Sequence, residues 1–335
     1  MTMDQELDRF RGLAVGFMGT RVLHAAVQLG VFTTLAELGP STAEELRTRL
    51  GLHERGALDF FDCLVGLDLL RYDDGRYANT EATARYLGDP TSDDHIGGMV
   101  EYAANHWYWS WGKLDEALRT GTSQSYGGAF PYDAIHADPG LVEQFQRAMA
   151  GATPGSTLAD EFPWRDVTSV VDVGCADGAM LIRLLRAHPH LTGIGFDLPT
   201  AQPSFDKTVA QHRLSDRITF APGDFRTDGF PTADVLMFGH VLIDWDEETR
   251  RMLLAKAYEA LPEGGTVLVY DNLVDENRQQ DAGTLMVSLH MLVDQQGGSV
   301  YTASACCDWL REAGFRDCRV KPLPGTVDHM ITAVR

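Results

Sequence analysis

From Val167 onward, short β-branched runs alternate with helical stretches, and this alternation constrains the fold more than any other feature of the 335-residue chain. Val167-Thr-Ser-Val-Val-Asp-Val173 reads as a buried strand, followed by a turn and the apolar helix Met180 to Ala187. Thr192 to Asp197, Arg217 to Ala221, Ala233 to Phe238 and Thr266 to Asp271 read as further strands. Helices separate them; one of these, Glu247 to Ala260, stops at Pro262-Glu-Gly-Gly265. Such alternation predicts an α/β fold, a parallel, doubly wound, Rossmann-like sheet with ligands at the carboxyl ends of its strands.

The first half follows a different pattern. Gly12 to Leu38 is rich in Ala, Val, Leu and Phe and needs burial in a core or against a second subunit. Ser41-Thr-Ala-Glu44 reads as a capping box opening a short helix through Leu50. A second helix, about Glu54 to Leu69, places Leu58, Phe61, Leu64 and Val65 on one face. Leu70 to Tyr77 reads as a hairpin turning at Asp74-Gly75. Helix, helix, hairpin is a winged-helix arrangement. Its second helix offers Arg55 against Asp59, Asp62 and Asp68, the wrong sign for a phosphate backbone, so a packing and dimerisation role is expected. The domains expected are 1–100 (helical, winged-helix-like, dimerising), 101–160 (connecting helices lining a substrate cleft) and 161–335 (cofactor-binding).

Lys and Arg total 28 against 48 Asp and Glu, a formal charge of −20, which argues against nucleic acid as a partner. No run of apolar residues is long enough to span a membrane, and the acidic N-terminus does not read as a signal peptide. Five cysteines without a C-x-x-C pair read as reduced thiols of a cytoplasmic protein.

The sharpest motif is Val170-Val-Asp-Val-Gly-Cys-Ala-Asp-Gly178. Gly174 and Gly178 frame a tight turn into a helix, where the backbone can approach a ligand closely. The dinucleotide signature G-x-G-x-x-G is absent, and Asp172 would repel a pyrophosphate. A carboxylate there suits a ligand with a cationic amino-acid portion, as S-adenosylmethionine has. Asp197, followed by Leu198, ends the second strand, where an acidic residue hydrogen-bonds ribose hydroxyls in doubly wound folds. Gly223-Asp-Phe225 brings a carboxylate and an aromatic ring to the end of the third, and Gly239 closes the fourth.

With these motifs the chain resembles the class I O-methyltransferases of the caffeate and acetylserotonin type, in their bacterial specialised-metabolism branch that includes antibiotic biosynthesis. The resemblance also takes in Val241-Leu-Ile-Asp-Trp-Asp246, Met291-Leu-Val293 and Gly297-Gly298, and covers nearly the whole chain. It implies an S-adenosyl-L-methionine-dependent methyltransferase acting as a homodimer on a small-molecule acceptor. Asp197, Asp224 and Phe225 would hold ribose and adenine, and Trp245 would pack near the adenine.

The resemblance breaks at the chemistry. In the family a histidine preceding Asp-Trp removes the acceptor's proton, and here that position is Ile243, which cannot act as a base. Of the two family carboxylates that orient that histidine, one corresponds to Asp271 and the other falls on Val300. His240, Asp244 and His290 are the polar groups left to compensate. Two imidazoles and a carboxylate in one cleft would bind a metal such as iron or zinc through His240 and His290 and support C-methylation of a 2-oxoacid. Alternatively either histidine is a relocated base, or methyl transfer proceeds by proximity onto an already ionised acceptor. A non-catalytic cofactor-binding scaffold is the remaining alternative. His106, Trp109, Met149, Ile243 and Met291 are expected to line a flat, partly apolar acceptor site.

Overall fold

In the computed structural model, residues 2–92, 94–152, 157–278 and 282–335 are described. The chain divides into two compact units, one of Met1–Tyr108 with Arg147–Ala152, the other of Trp109–Gln146 with Thr153–Arg335. The segment 101–160, expected as one connecting domain, is thus shared between them.

The first unit opens with helices Met3–Val15, Phe17–Gln28 and Val31–Leu38. Helix Ala43–Leu50 starts one residue later than the capping pattern suggested: Thr42 caps the Glu45 amide and the Glu45 side chain accepts from the Thr42 amide. Helix Glu54–Gly66 buries Phe61 and Leu64 against Leu46 and Tyr77, whereas Leu58, expected on the same face, is exposed. Strands β1 (Leu70–Asp73) and β2 (Arg76–Asn79) form the expected hairpin, with Asp74 and Gly75 both at positive φ, as a two-residue turn of this hand requires. Helix Met3–Val15 buries no residue, leaving Leu7, Phe10 and Leu13 exposed.

The second unit carries the sheet: β3 (Ser169–Val173), β4 (Thr192–Asp197), β5 (Ile218–Pro222), β6 (Val235–Gly239), β7 (Thr266–Val274), β8 (Tyr301–Thr302), β9 (Arg316–Pro322) and β10 (Asp328–Val334). Their order is β5-β4-β3-β6-β7-β10-β9, with β8 beside β7. The strands read from sequence are parallel, but β10 runs antiparallel to both β7 and β9, so the sheet is mixed rather than wholly parallel. The chain turns from β3 outward to β4 and β5, then returns to β6, so the switch point lies between β3 and β6. Alternate residues serve opposite cores. Val171, Val173, Leu236 and Phe238 pack with helix Glu247–Ala260, while Val170, Val235 and Met237 pack with helix Ala179–Ala187.

The cysteines, expected as reduced thiols, are not all free. Cys307 and Cys318 are joined in a disulfide that ties helix Ala303–Glu312 to β9, and only Cys63, Cys175 and Cys306 are free. No single helix among the described residues is long and apolar enough to cross a membrane; the bent pair Met3–Gln28 and Val31–Leu38 passes by length and composition only.

Candidate active site

At the switch point the backbone is shaped for a close ligand. Gly174 has φ +74°, and a Cβ there would meet Val241 Cγ2 at 2.8 Å, so a side chain would both strain the turn and fill it. Gly178, also at positive φ, is the N-cap of helix Ala179–Ala187, whose first amide, that of Ala179, donates to the Asp177 carboxylate (3.1 Å). Asp197 closes the turn from β4: its carboxylate accepts from the amides of Ala176 (2.9 Å) and Leu198 (2.7 Å). The Gly223 amide donates in turn to the Asp197 carbonyl (2.9 Å), joining the ends of β4 and β5.

This corner gathers negative charge. Burial and the nearby Asp197 and Asp177 push the Asp172 carboxyl up to about 8, and burial pushes Asp197 up to about 6. Carboxylates held this far from their preferred ionised state gain most from a cationic ligand, whose charge brings their pKa values down again. An ammonium and sulfonium group meets that need, and the glycine turn leaves room for it, so the residues present fit S-adenosylmethionine. Replacing Asp197 with alanine is expected to weaken its binding by about 1–3 kcal/mol, the loss for a charged hydrogen-bonding partner. Unchanged affinity by calorimetry would refute the ribose assignment.

Beyond β5, Asp224 lies in a tight pair with Arg226 (2.9 Å), whose hydrogen bonds hold its carboxyl below the usual range. Lys256 donates to the Phe225 carbonyl (2.7 Å) and steadies that loop. Phe225 meets Trp245 edge-on at 5.3 Å, and Tyr132 stacks against Trp245 at 6.0 Å. Tyr132 belongs to helix Pro131–His136, a segment that the sequence pattern does not single out. From it Tyr132 donates to Asp244, His136 Nδ1 lies 2.6 Å from the Thr200 hydroxyl, and Asp133 faces Arg226 at 3.9 Å. This one helix therefore clasps the loops after β4, β5 and β6. No local signal marks it, because even the nearest of these three bonds, His136 to Thr200, joins residues 64 apart in the chain.

The candidate catalytic residues fall into two groups. His240, at φ +52°, ends β6 with Nε2 3.2 Å from Asp328 and Nδ1 3.9 Å from Asp271. Burial opposes its charge, but the Asp328 carboxylate 3.2 Å away, with the charges of Asp271 and Asp244, prevails and pushes its pKa up to about 9. Asp271 is fully buried, accepts from the Tyr301 hydroxyl (2.6 Å), and is pushed up to about 6 by that burial. Asp328 carries no sequence signal, since it comes from β10 and only strand pairing sets it opposite Asn272 of β7. His290 stands apart on helix Ala282–Asp294, where its Nδ1 accepts from the Trp111 indole N–H at 3.1 Å.

The metal expectation finds no support in this geometry. His240 and His290 are committed to different partners, and among the described residues no group of three or more His, Cys, Asp or Glu could hold a metal ion.

Asp244 is the remaining carboxylate. Burial drives its carboxyl upward, as do the charges of Asp271 and Asp294, while the Tyr132 hydrogen bond and His240 oppose this; the result is about 7. Neighbouring Ile243 is buried in the apolar cluster that holds Trp245, Met291 and Val300. Arg250, itself buried, donates to the carbonyls of Leu242 (2.7 Å) and Ile243 (3.4 Å) and to the Ser299 hydroxyl (3.1 Å), pinning the turn that carries Asp244. Trp109 lies in the sheet-bearing unit and is exposed, whereas His106 and Met149 belong to the helical unit, where His106 packs on Tyr102 at 4.4 Å.

Comparison with known proteins agrees with this architecture. Residues 12–89 match the O-methyltransferase dimerisation domain and residues 111–316 the O-methyltransferase domain. The chain is 40% identical over 318 residues to the tetracenomycin polyketide synthesis 8-O-methyl transferase TcmO of Streptomyces glaucescens, covering 93% of this chain and 92% of that one. It is 36% identical over 336 residues to the N,N-dimethyltransferase OxyT of Streptomyces rimosus, covering 96% and 95%. The crystal structure of human N-acetylserotonin methyltransferase with S-adenosylmethionine superposes with a TM-score of 0.91 at 30% identity, over 100% of this chain and 99% of that one.

Proposed function

The chain belongs to the O-methyltransferase family and is an S-adenosylmethionine-dependent methyltransferase of the specialised-metabolite type; from this premise we propose that it methylates a hydroxyl oxygen of a flat aromatic acceptor, with Asp244 taking up the hydroxyl proton. The observation that carries the reading is the Asp244 carboxyl, pushed up to about 7 immediately beside the position where the family places its histidine. A base poised near neutrality is suited to a phenol, whose own pKa is about 10.

Asp172 and Asp197, with the glycine turn, would hold the cofactor, and Phe225 and Trp245 would flank its adenine. When bound, S-adenosylmethionine supplies the methyl group, carbon passing from sulfur to the acceptor oxygen while the bonding pair stays on sulfur. Asp244 accepts the proton, and the positive charge of His240 favours the carboxylate form that can do so. Tyr132 keeps one Asp244 oxygen bonded and leaves the other for the acceptor.

Asp244 works as the carboxylate, so kcat/KM is expected to rise with pH through about 7 and then level off. Across a series of phenols differing in acidity the midpoint should stay in place. A midpoint that tracks the pKa of each phenol would instead indicate capture of an already ionised acceptor.

The same family membership brings a dimerisation domain, and helix Met3–Val15, with no residue buried in its own subunit, supports a homodimer. Light scattering after size exclusion is expected to give twice the 36.9 kDa chain mass; a monomer at micromolar concentration would contradict this.

A further inference from the structure

His240 occupies a costly position. It follows β6 at φ +52°, in the left-handed region that favours glycine, and such backbone persists where the side chain serves a purpose. Ionisable groups from several elements enclose its ring. Asp328 of β10 faces Nε2 at 3.2 Å, Asp271 of β7 faces Nδ1 at 3.9 Å, and Tyr270 of β7 meets the ring edge-on at 5.3 Å. Asp244 stands one turn further along the same chain, its amide donating to the Val241 carbonyl (3.2 Å). The charges of His240 and Asp244 act on each other, and Asp271 acts on both. Arg250, Asp294 and the Tyr132 hydroxyl complete the charged and polar groups around Asp244, while Tyr301 donates to Asp271. Asp328 is itself fixed: it is buried, and the Asn272 side chain opposite it donates to Oδ1, leaving Oδ2 towards His240. Among the described residues His240 Nε2 makes no aligned hydrogen bond, so the charge of Asp328 rather than a directed bond favours the imidazolium.

We propose that Asp328 is a positioning residue for proton transfer: by holding a positive charge on His240, it keeps Asp244 in the carboxylate form that takes the acceptor's proton. The inference rests on the reading of Asp244 as the base. No proton passes along the row. His240 keeps its own proton throughout, and the hydroxyl proton goes to Asp244 as the methyl group passes from sulfur to oxygen. Without the Asp328 charge, burial favours the neutral imidazole and the His240 pKa falls from about 9. Asp244 then loses a nearby cation, and its pKa rises from about 7. Asp271 feels the two losses with opposite sign, since Asp328 raises its pKa and His240 lowers it, so the loss at His240 decides the outcome at Asp244.

Asp328→Asn tests this, because it keeps the volume and the acceptor for Asn272 while removing the charge. Magnetic resonance of enzyme carrying nitrogen-15 histidine and carboxyl-carbon-13 aspartate follows both groups. Their signals are identified by their absence from His240→Gln and Asp244→Asn. In Asp328→Asn the His240 midpoint is expected to fall by about 1–3 in pH, the usual effect of removing an opposite charge at this range, and the Asp244 midpoint to rise by about 1. At pH 7 kcat/KM should then drop roughly fivefold and return close to the native value at pH 9, a recovery that a merely structural defect would not show. His240→Gln should move the Asp244 midpoint in the same direction, and adding Asp328→Asn to it should move it no further. The proposal is overturned if His240 in Asp328→Asn titrates as in the native enzyme. An Asp244 midpoint that stays in place while His240 turns neutral, or in His240→Gln, overturns it equally. Should the Asp244 midpoint move as expected while the kinetic limb does not, the assignment of Asp244 as the base falls, and the hold of Asp328 on its ionisation stands.

Discussion

Replacing Asp244 with asparagine is expected to lower kcat by about 10²–10⁴-fold, the usual contribution of a positioned general base. That corresponds to about 3–5 kcal/mol of activation free energy. Asparagine keeps the volume and can still accept from Tyr132, so the turn should survive and S-adenosylmethionine affinity should change little. Tyr132→Phe serves as the comparison. It removes a hydrogen bond that holds the Asp244 pKa down, so the rising limb of the pH profile should move to higher pH rather than vanish. Single-turnover kinetics with saturating cofactor separate the chemical step from binding. An asparagine variant that keeps its rate within about threefold, with the limb intact, would transfer the proton's fate to solvent or to the acceptor's own ionisation.

The second large effect is structural. Arg250→Ala is expected to destabilise the fold by roughly 3–5 kcal/mol, because each buried acceptor left without a donor costs about 1–3 kcal/mol and the truncated side chain leaves a cavity. The guanidinium lies 4.8 Å over the Tyr301 ring and 5.5 Å from that of Trp309, so packing is lost together with the hydrogen bonds to residues 242, 243 and 299. Urea denaturation monitored by tryptophan fluorescence measures the loss. Arg250→Lys should recover only part of it, since an ammonium cannot reproduce the planar fork that spans two segments. A change below about 1 kcal/mol for the alanine variant would mean that the carbonyls find other donors and that Arg250 does not hold the turn.

These two residues differ in how they can be read from sequence. Asp244 lies in a motif, Leu242-Ile-Asp-Trp245, whose neighbours along the chain are enough to give it meaning. Arg250 sits in a helix beside Arg251, and nothing local separates the buried guanidinium from the half-exposed one; only the position of the helix against Ser299 and Tyr301 does. The same distinction explains the capping box displaced by one residue. Ser41 and Thr42 are both competent caps, and the backbone pairing of Ser41 with Tyr77 decides which of them is free to cap.

By itself the sequence determined the strands β3 to β7 and their alternation with helices, the glycine turn after β3 and the acidic residues at successive strand ends, but not β8, β9 or β10. These depend on periodicity, chirality and backbone sterics, which act over a few residues and leave their mark in local composition. Tertiary structure alone decided the state of each polar group in the site. His240 is pushed towards its charged form because β10 brings Asp328 to it, and His290 Nδ1 is an acceptor because Trp111, 179 residues away in the chain, donates to it. The pairing of Cys307 with Cys318 and the clasp of helix Pro131–His136 across three loops were likewise settled by packing. Hydrogen-bond partners and burial set a side chain's charge and reactivity, and both come from residues remote in sequence, so the identity of a histidine or aspartate is legible in the chain while its chemical role is not.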